Sequence, residues 1–302
     1  NRGELFRQFV IVLLEREQLA EMHPETKVMT PTDEGRALMD GLQQVAFEMQ
    51  MQRAETARNG ESSAGTSLPL TRVREILNDR LLYLAVSASI LNSGDDVRFT
   101  HQLLQEFFAA YYLHGQAFGN YVPGQVYTVG EALHASDIWK PEQWWERTNW
   151  EEAVILLAGL YSDDCTLVVD WVNAAHSGVA ASCVTRSGAK LPDVTRDRLR
   201  DEWIPRLTAL TPSPSPSGRG EIYDPDPRAR AAVGRALGLT NWDNRKGVSV
   251  IVHDGVKLPD IDWVTIPAGE FTYQYRKMKL DYDFQISRYP VTMAQFQAFI
   301  DD

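Results

Sequence analysis

The spacing of apolar residues changes near residue 247, and that change limits the chain to a helical body followed by a strand-rich segment. Up to residue 238 the apolar positions recur every three or four residues, the repeat of an amphipathic helix. From 247 onward they fall in short β-branched and aromatic runs: Val248-Ser249-Val250-Ile251-Val252, Trp263-Val264-Thr265-Ile266 and Phe284-Gln285-Ile286-Ser287. Thr292 and Gln295 have the spacing of a capping box, so a helix is expected to begin there with Phe296, Phe299 and Ile300 facing inward. The fold class expected is mainly α, followed by an α+β segment.

Within the first part, helices are expected over 4–20, 36–53 and 70–85, with a polar stretch around Pro24 and Pro31 and a Gly/Ser/Asn-rich loop over 57–68. The runs 87–91 and 97–99 flank Asn92-Ser93-Gly94-Asp95-Asp96, the pattern of a small hairpin. A helix follows whose broad apolar face carries Leu103, Leu104, Phe107, Phe108, Tyr111 and Tyr112. Helices followed by a short hairpin suit a winged-helix domain. Residues 119–150 are irregular and hold Trp139, Trp144, Trp145 and Trp150. Tryptophans this dense bury junctions between elements, and stacking on carbohydrate is the sharper alternative. Two helices over 150–176 and others over 191–210 and 226–238 suit a bundle or an α-solenoid, although no repeat period is visible. Residues 211–220, alternating Ser and Pro before Gly-Arg-Gly, read as an exposed linker.

Composition excludes several classes. The 302 residues carry a net charge of −11, so a broad phosphate-binding surface for nucleic acid is disfavoured. No apolar run approaches the roughly 18–20 residues needed to span a bilayer. The two cysteines, Cys165 and Cys183, lie in no metal-ligand spacing, so a zinc site is not expected; they fit a reducing, cytoplasmic compartment and small buried positions. The chain opens on Asn1-Arg2-Gly3 and closes on Ile300-Asp301-Asp302, and is expected to be a piece of a longer polypeptide.

Two stretches resemble known families. Arg98-Phe99-Thr100-His101-Gln102-Leu103-Leu104-Gln105-Glu106-Phe107-Phe108-Ala109-Ala110-Tyr111-Tyr112-Leu113 is similar to the signature that ends the winged-helix part of NACHT-type signalling NTPases, a group that includes the NOD-like receptors. The opening Asn1-Arg2-Gly3-Glu4-Leu5-Phe6 resembles the stretch just beyond their ATPase core. The resemblance covers about 1–115. It implies that His101 contacts a phosphate of bound nucleotide and latches a closed, ADP-bound state, with ATP or ADP and magnesium held by an upstream ATPase core of the same polypeptide. An imidazole N–H suits that contact because it donates to a phosphate oxygen. Gln105 and Glu106 are expected to stabilise the domain internally. No G-x-x-x-x-G-K-[ST] phosphate loop occurs here, so this chain is not expected to hydrolyse ATP by itself.

The second resemblance covers about 258–302. Trp263-Val264-Thr265-Ile266-Pro267-Ala268-Gly269-Glu270-Phe271 and Phe284-Gln285-Ile286-Ser287-Arg288-Tyr289-Pro290-Val291-Thr292-Met293-Ala294-Gln295-Phe296 look like the start of the formylglycine-generating enzyme, or sulfatase-modifying factor, family. The implied fold is a C-type-lectin-like domain, of which this is the opening part. Thr272-Tyr273-Gln274-Tyr275 stands where the family usually has Met-Gly-Ser, and Met293 where it usually has Asn. The family's catalytic cysteine pair belongs near the far end of that domain, and Cys165 and Cys183 do not match it. Between the two stretches, Asp226-Pro227-Arg228-Ala229-Arg230-Ala231-Ala232-Val233 resembles a HEAT-like helix.

The organisation these readings imply is a winged-helix end over 1–118, a helical spacer over 119–246 and a lectin-like start over 247–302. The function implied is a nucleotide-regulated signalling switch whose C-terminal domain binds an unidentified ligand and which assembles with copies of itself on activation. The alternative is a metal-dependent oxidoreductase of the formylglycine-generating type whose catalytic part lies beyond residue 302.

Overall fold

A computed structural model of the chain describes residues 1–58, 66–119, 132–207 and 226–301. The expected linker at 211–220, most of the expected loop over 57–68, and residues 120–131 of the Trp-rich stretch lie outside them. The architecture is mainly α-helical, followed by small antiparallel sheets. It divides into two compact units. One holds Asn1–Arg198 and the described part of Asp224–Ala236; the other holds the described parts of Leu199–Tyr223 and Leu237–Asp302.

The first unit opens with α1 (Arg2–Arg16), capped by the Asn1 side chain, which accepts from the Glu4 amide at 3.2 Å. The helix stops earlier than the expected residue 20. Gln18 turns the chain at φ +60° and the Leu19 amide donates back to the Leu14 carbonyl, so buried Leu19 and Ala20 run into a hairpin instead. That hairpin pairs β1 (Ala20–Met22) with β2 (Met29–Pro31). The long α2 (Asp33–Arg58) buries Leu38, Leu42, Val45, Ala46 and Met49, spaced as one helical stripe.

Beyond β3 (Leu68–Pro69), the helix expected over 70–85 is two helices, α3 (Leu70–Ile76) and α4 (Asp79–Ser87). Asn78 divides them: its side chain accepts from the Leu81 amide at 2.9 Å and starts a new helix. The run 87–91, expected as a strand, is mostly the end of α4 and a turn at Ser89 (φ +60°). The strand that follows is β4 (Leu91–Ser93), paired with β5 (Asp96–Phe99), and β3 joins the other side of β5 to make a three-stranded antiparallel sheet in the order β3-β5-β4.

The aromatic helix α5 (Gln102–Phe118) then runs through the centre of this unit, packed on α2 and on α7. A short α6 (Ala135–Ile138) leads into α7 (Glu151–Leu160), α8 (Thr166–Asn173) and α9 (Ser177–Arg186), and α10 (Asp193–Trp203) and α11 (Pro227–Thr240) each contribute to both units. Sequence periodicity missed α9, whose inward residues are small: Val179, Ala180, Ala181 and Cys183. The crossing of α1 over α7 is backbone to backbone, since a Cβ on Gly3 would lie 2.6 Å from both the Gly159 carbonyl carbon and the Leu156 oxygen. Only glycine permits that approach.

In the second unit the rings of Trp203 and Trp242 stack at 5.5 Å. Among its described residues six strands are present where three were expected. They are β6 (Val250–His253), β7 (Val256–Pro259), β8 (Trp263–Ile266), β9 (Gly269–Tyr273), β10 (Arg276–Leu280) and β11 (Phe284–Ser287). They pair as three separate two-stranded sheets, β6 with β7, β8 with β11 and β9 with β10. The Asp254-Gly255 turn between β6 and β7 has φ +52° and +82°, the geometry that a right-twisted hairpin selects. α12 (Met293–Ile300) begins with the expected capping box, Thr292 accepting from the Gln295 amide while the Gln295 side chain accepts from the Thr292 amide. Gln295 also donates to the carbonyls of Gly247 and Asp260, fixing the helix against the ends of β6 and β7. Phe296, Phe299 and Ile300, expected inside, are exposed.

Candidate functional site at the start of the aromatic helix

His101 sits where β5 gives way to α5. Its position follows from what locks the residues before it. Phe99 pairs with Leu91 across the sheet and lays its ring 5.8 Å from Phe108. Thr100 donates through its amide to the Ile90 carbonyl at 3.0 Å and through its hydroxyl to the Ser89 carbonyl at 2.8 Å. With both neighbours fixed inward, His101 takes an extended backbone (φ −136°, ψ +136°) as the N-cap of α5, and its side chain is exposed.

The imidazole makes no capping bond to the helix it precedes, and the first turn of α5 holds no acidic residue. The first turn itself therefore supplies no carboxylate to the positive end of this 17-residue helix. Beside it lies a groove of about 540 Å³ lined by Leu5, Phe6 and Phe9 of α1 with His101, Gln102, Leu103 and Leu104. Its walls are mainly apolar, and His101 and Gln102 are the polar residues among those that line it.

The rest of the motif faces the other way. Gln105 and Glu106 are 2 % exposed and form two polar rungs that tie α5 to α2. Glu106 Oε1 accepts from Gln102 Nε2 at 2.7 Å and from Arg53 Nη1 at 3.2 Å. Gln105 Nε2 donates to Gln50 Oε1 at 3.3 Å, and Gln50 in turn donates to the Asn149 carbonyl. Burial pushes the Glu106 carboxyl above the usual carboxylate range, against the opposing pull of Gln102 and Arg53. Buried polar groups with partners on every side fix one register between helices. The internal role expected of these two residues is thus what the structure shows. Phe107 and Phe108 are fully buried beneath them, with ring centroids 5.6 Å apart.

Sequence reasoning missed Arg53, Gln50 and Asn149 as partners of the motif. The first two lie some fifty residues upstream and the third over forty downstream, and no local pattern marks them. It also missed His114, further along α5, whose Nε2 lies 2.7 Å from the Tyr161 hydroxyl; burial pushes this imidazole below its ordinary value.

Of the tryptophans in the expected Trp-rich stretch, three are buried and Trp145 is half-buried beneath the Arg228 guanidinium, 5.0 Å from its ring centroid. Trp139, Trp144 and Trp150 are buried, with Trp150 against Phe47 and Trp139 edge-on to His176, so their faces are not available for carbohydrate. Cys165 and Cys183 are buried free thiols; burial pushes Cys165 up to about 11 and Cys183 higher still, which suppresses the reactive thiolate. Among the described residues, no group of three His, Cys, Asp or Glu side chains could hold a metal ion, and no helix is long and apolar enough to cross a membrane. Neither a scan against protein-family models nor a search of curated proteins finds a match to this chain.

Proposed function

We propose that this chain is part of a nucleotide-regulated signalling NTPase of the NACHT type, in which β3–β5 and α5 form the winged-helix end and His101 latches the ADP-bound state. The observation that carries this reading is the division of labour within one motif. His101 is exposed at a helix start that its side chain does not cap, beside an open groove, while Gln105, Glu106, Phe107 and Phe108 are spent on holding that start in place. A histidine serving only the fold would be expected to cap α5 or to fill the space between β5 and the helix, and His101 does neither. ATP or ADP with magnesium would be held by an ATPase core outside these residues. The helices α7 to α9 pack in the same unit as α5 and supply the spacer, and β6–β11 with α12 supply the start of a formylglycine-generating-enzyme-like domain that serves as a ligand-binding sensor.

Histidine footprinting tests the latch. In a polypeptide that carries this segment together with its ATPase core, acylation by diethylpyrocarbonate should label His101 readily without nucleotide and poorly with ADP. Equal labelling of His101 in both conditions would count against the reading. Labelling of exposed His253 serves as the internal control.

A further inference from the structure

We draw no further inference here: the strongest candidate, the apolar groove between the exposed flank of α1 and the first turn of α5, belongs to the site already described, and nothing in the structure shows what covers its Leu5, Phe9 and Leu103 side chains.

Discussion

The two units bury their apolar residues very differently. In the first, α5 runs through the middle with Phe107 and Phe108 fully enclosed, and Trp139 and Trp150 seal the neighbouring layers. In the second, both strands of the β9–β10 hairpin are exposed almost throughout, and Trp263, Phe271, Tyr282, Ile286, Phe296 and Phe299 all stand at least 43 % exposed. Isolated two-stranded sheets are marginally stable at best in water. The helical unit therefore holds itself together through a closed core, whereas the strand-rich unit relies on local devices: primed turns, a capping box and the Asp262 ion pairs with Arg288 and Lys246.

The contrast breaks most readily at its two extremes. Trp150→Ala and Phe107→Ala should each cost roughly 3–5 kcal/mol in urea unfolding, because each leaves a cavity among enclosed neighbours. Phe299→Ala, at a position 75 % exposed, should change the same midpoint by less than about 0.5 kcal/mol. Comparable losses from Phe107→Ala and Phe299→Ala would erase the distinction. Gly159→Val comes next: its Cβ would sit 2.7 Å from the Gly3 nitrogen, and a loss of about 1–3 kcal/mol is expected from forcing α1 and α7 apart. Circular dichroism melts of the single and Gly3→Ala/Gly159→Val variants would measure it.

A buried carboxyl, Glu106, and a half-buried imidazole, His114, sharpen the description of the helical unit, with opposite signs. Glu106 has a folded-state value above its unfolded one, so the folded state binds the extra proton. The stability this gives is fully present below the ordinary Glu range and is lost as pH rises through the raised value. Wild type should therefore gain stability relative to Glu106→Gln as pH falls from 7 toward 5. His114 has a depressed value, so its contribution is present above about 6.5, the ordinary His value, and is lost as pH falls below it. His114→Phe should flatten the corresponding part of the profile. Urea midpoints across pH 5–8 for the three proteins distinguish the two slopes.

The smallest expected effect lies in the strand-rich unit. Gln274 and Tyr275, at φ +46° and +65°, occupy the hairpin turn between β9 and β10 where side chains are strained. Replacing the pair by Asn-Gly should stabilise the hairpin by about 0.5–1 kcal/mol, read by amide exchange of β9 and β10.

What the sequence made legible follows the reach of each signal. Local signals were sound: the period of α2, the Thr292–Gln295 capping box and the Asn/Gly/Asp turn before β5 all act within a few residues. Caps and turns that were overlooked explain several misses, since Asn78 divides α3 from α4 and Asp254-Gly255 announces β7. Helix α9 escaped because it packs through small residues, which weaken the apolar stripe that periodicity detects. Phe296 and Phe299 were expected inside because amphipathic spacing tells which residues share a face, and not whether a partner covers it. Within the aromatic motif, the internal role expected of Gln105 and Glu106 agrees with their burial and bonding. The Arg53, Gln50 and Asn149 partners depend on long-range packing of α2 and α7 against α5, which no single segment encodes.

The most direct test of the proposed latch is the rate at which ADP leaves a polypeptide that carries this segment with the proposed ATPase core, with His101→Ala beside wild type. A charge-assisted hydrogen bond to phosphate is worth about 1.5–3 kcal/mol, so ADP should dissociate roughly tenfold to a hundredfold faster from the variant. An unchanged dissociation rate from a normally folded His101→Ala protein would contradict the assignment of His101 as the nucleotide latch.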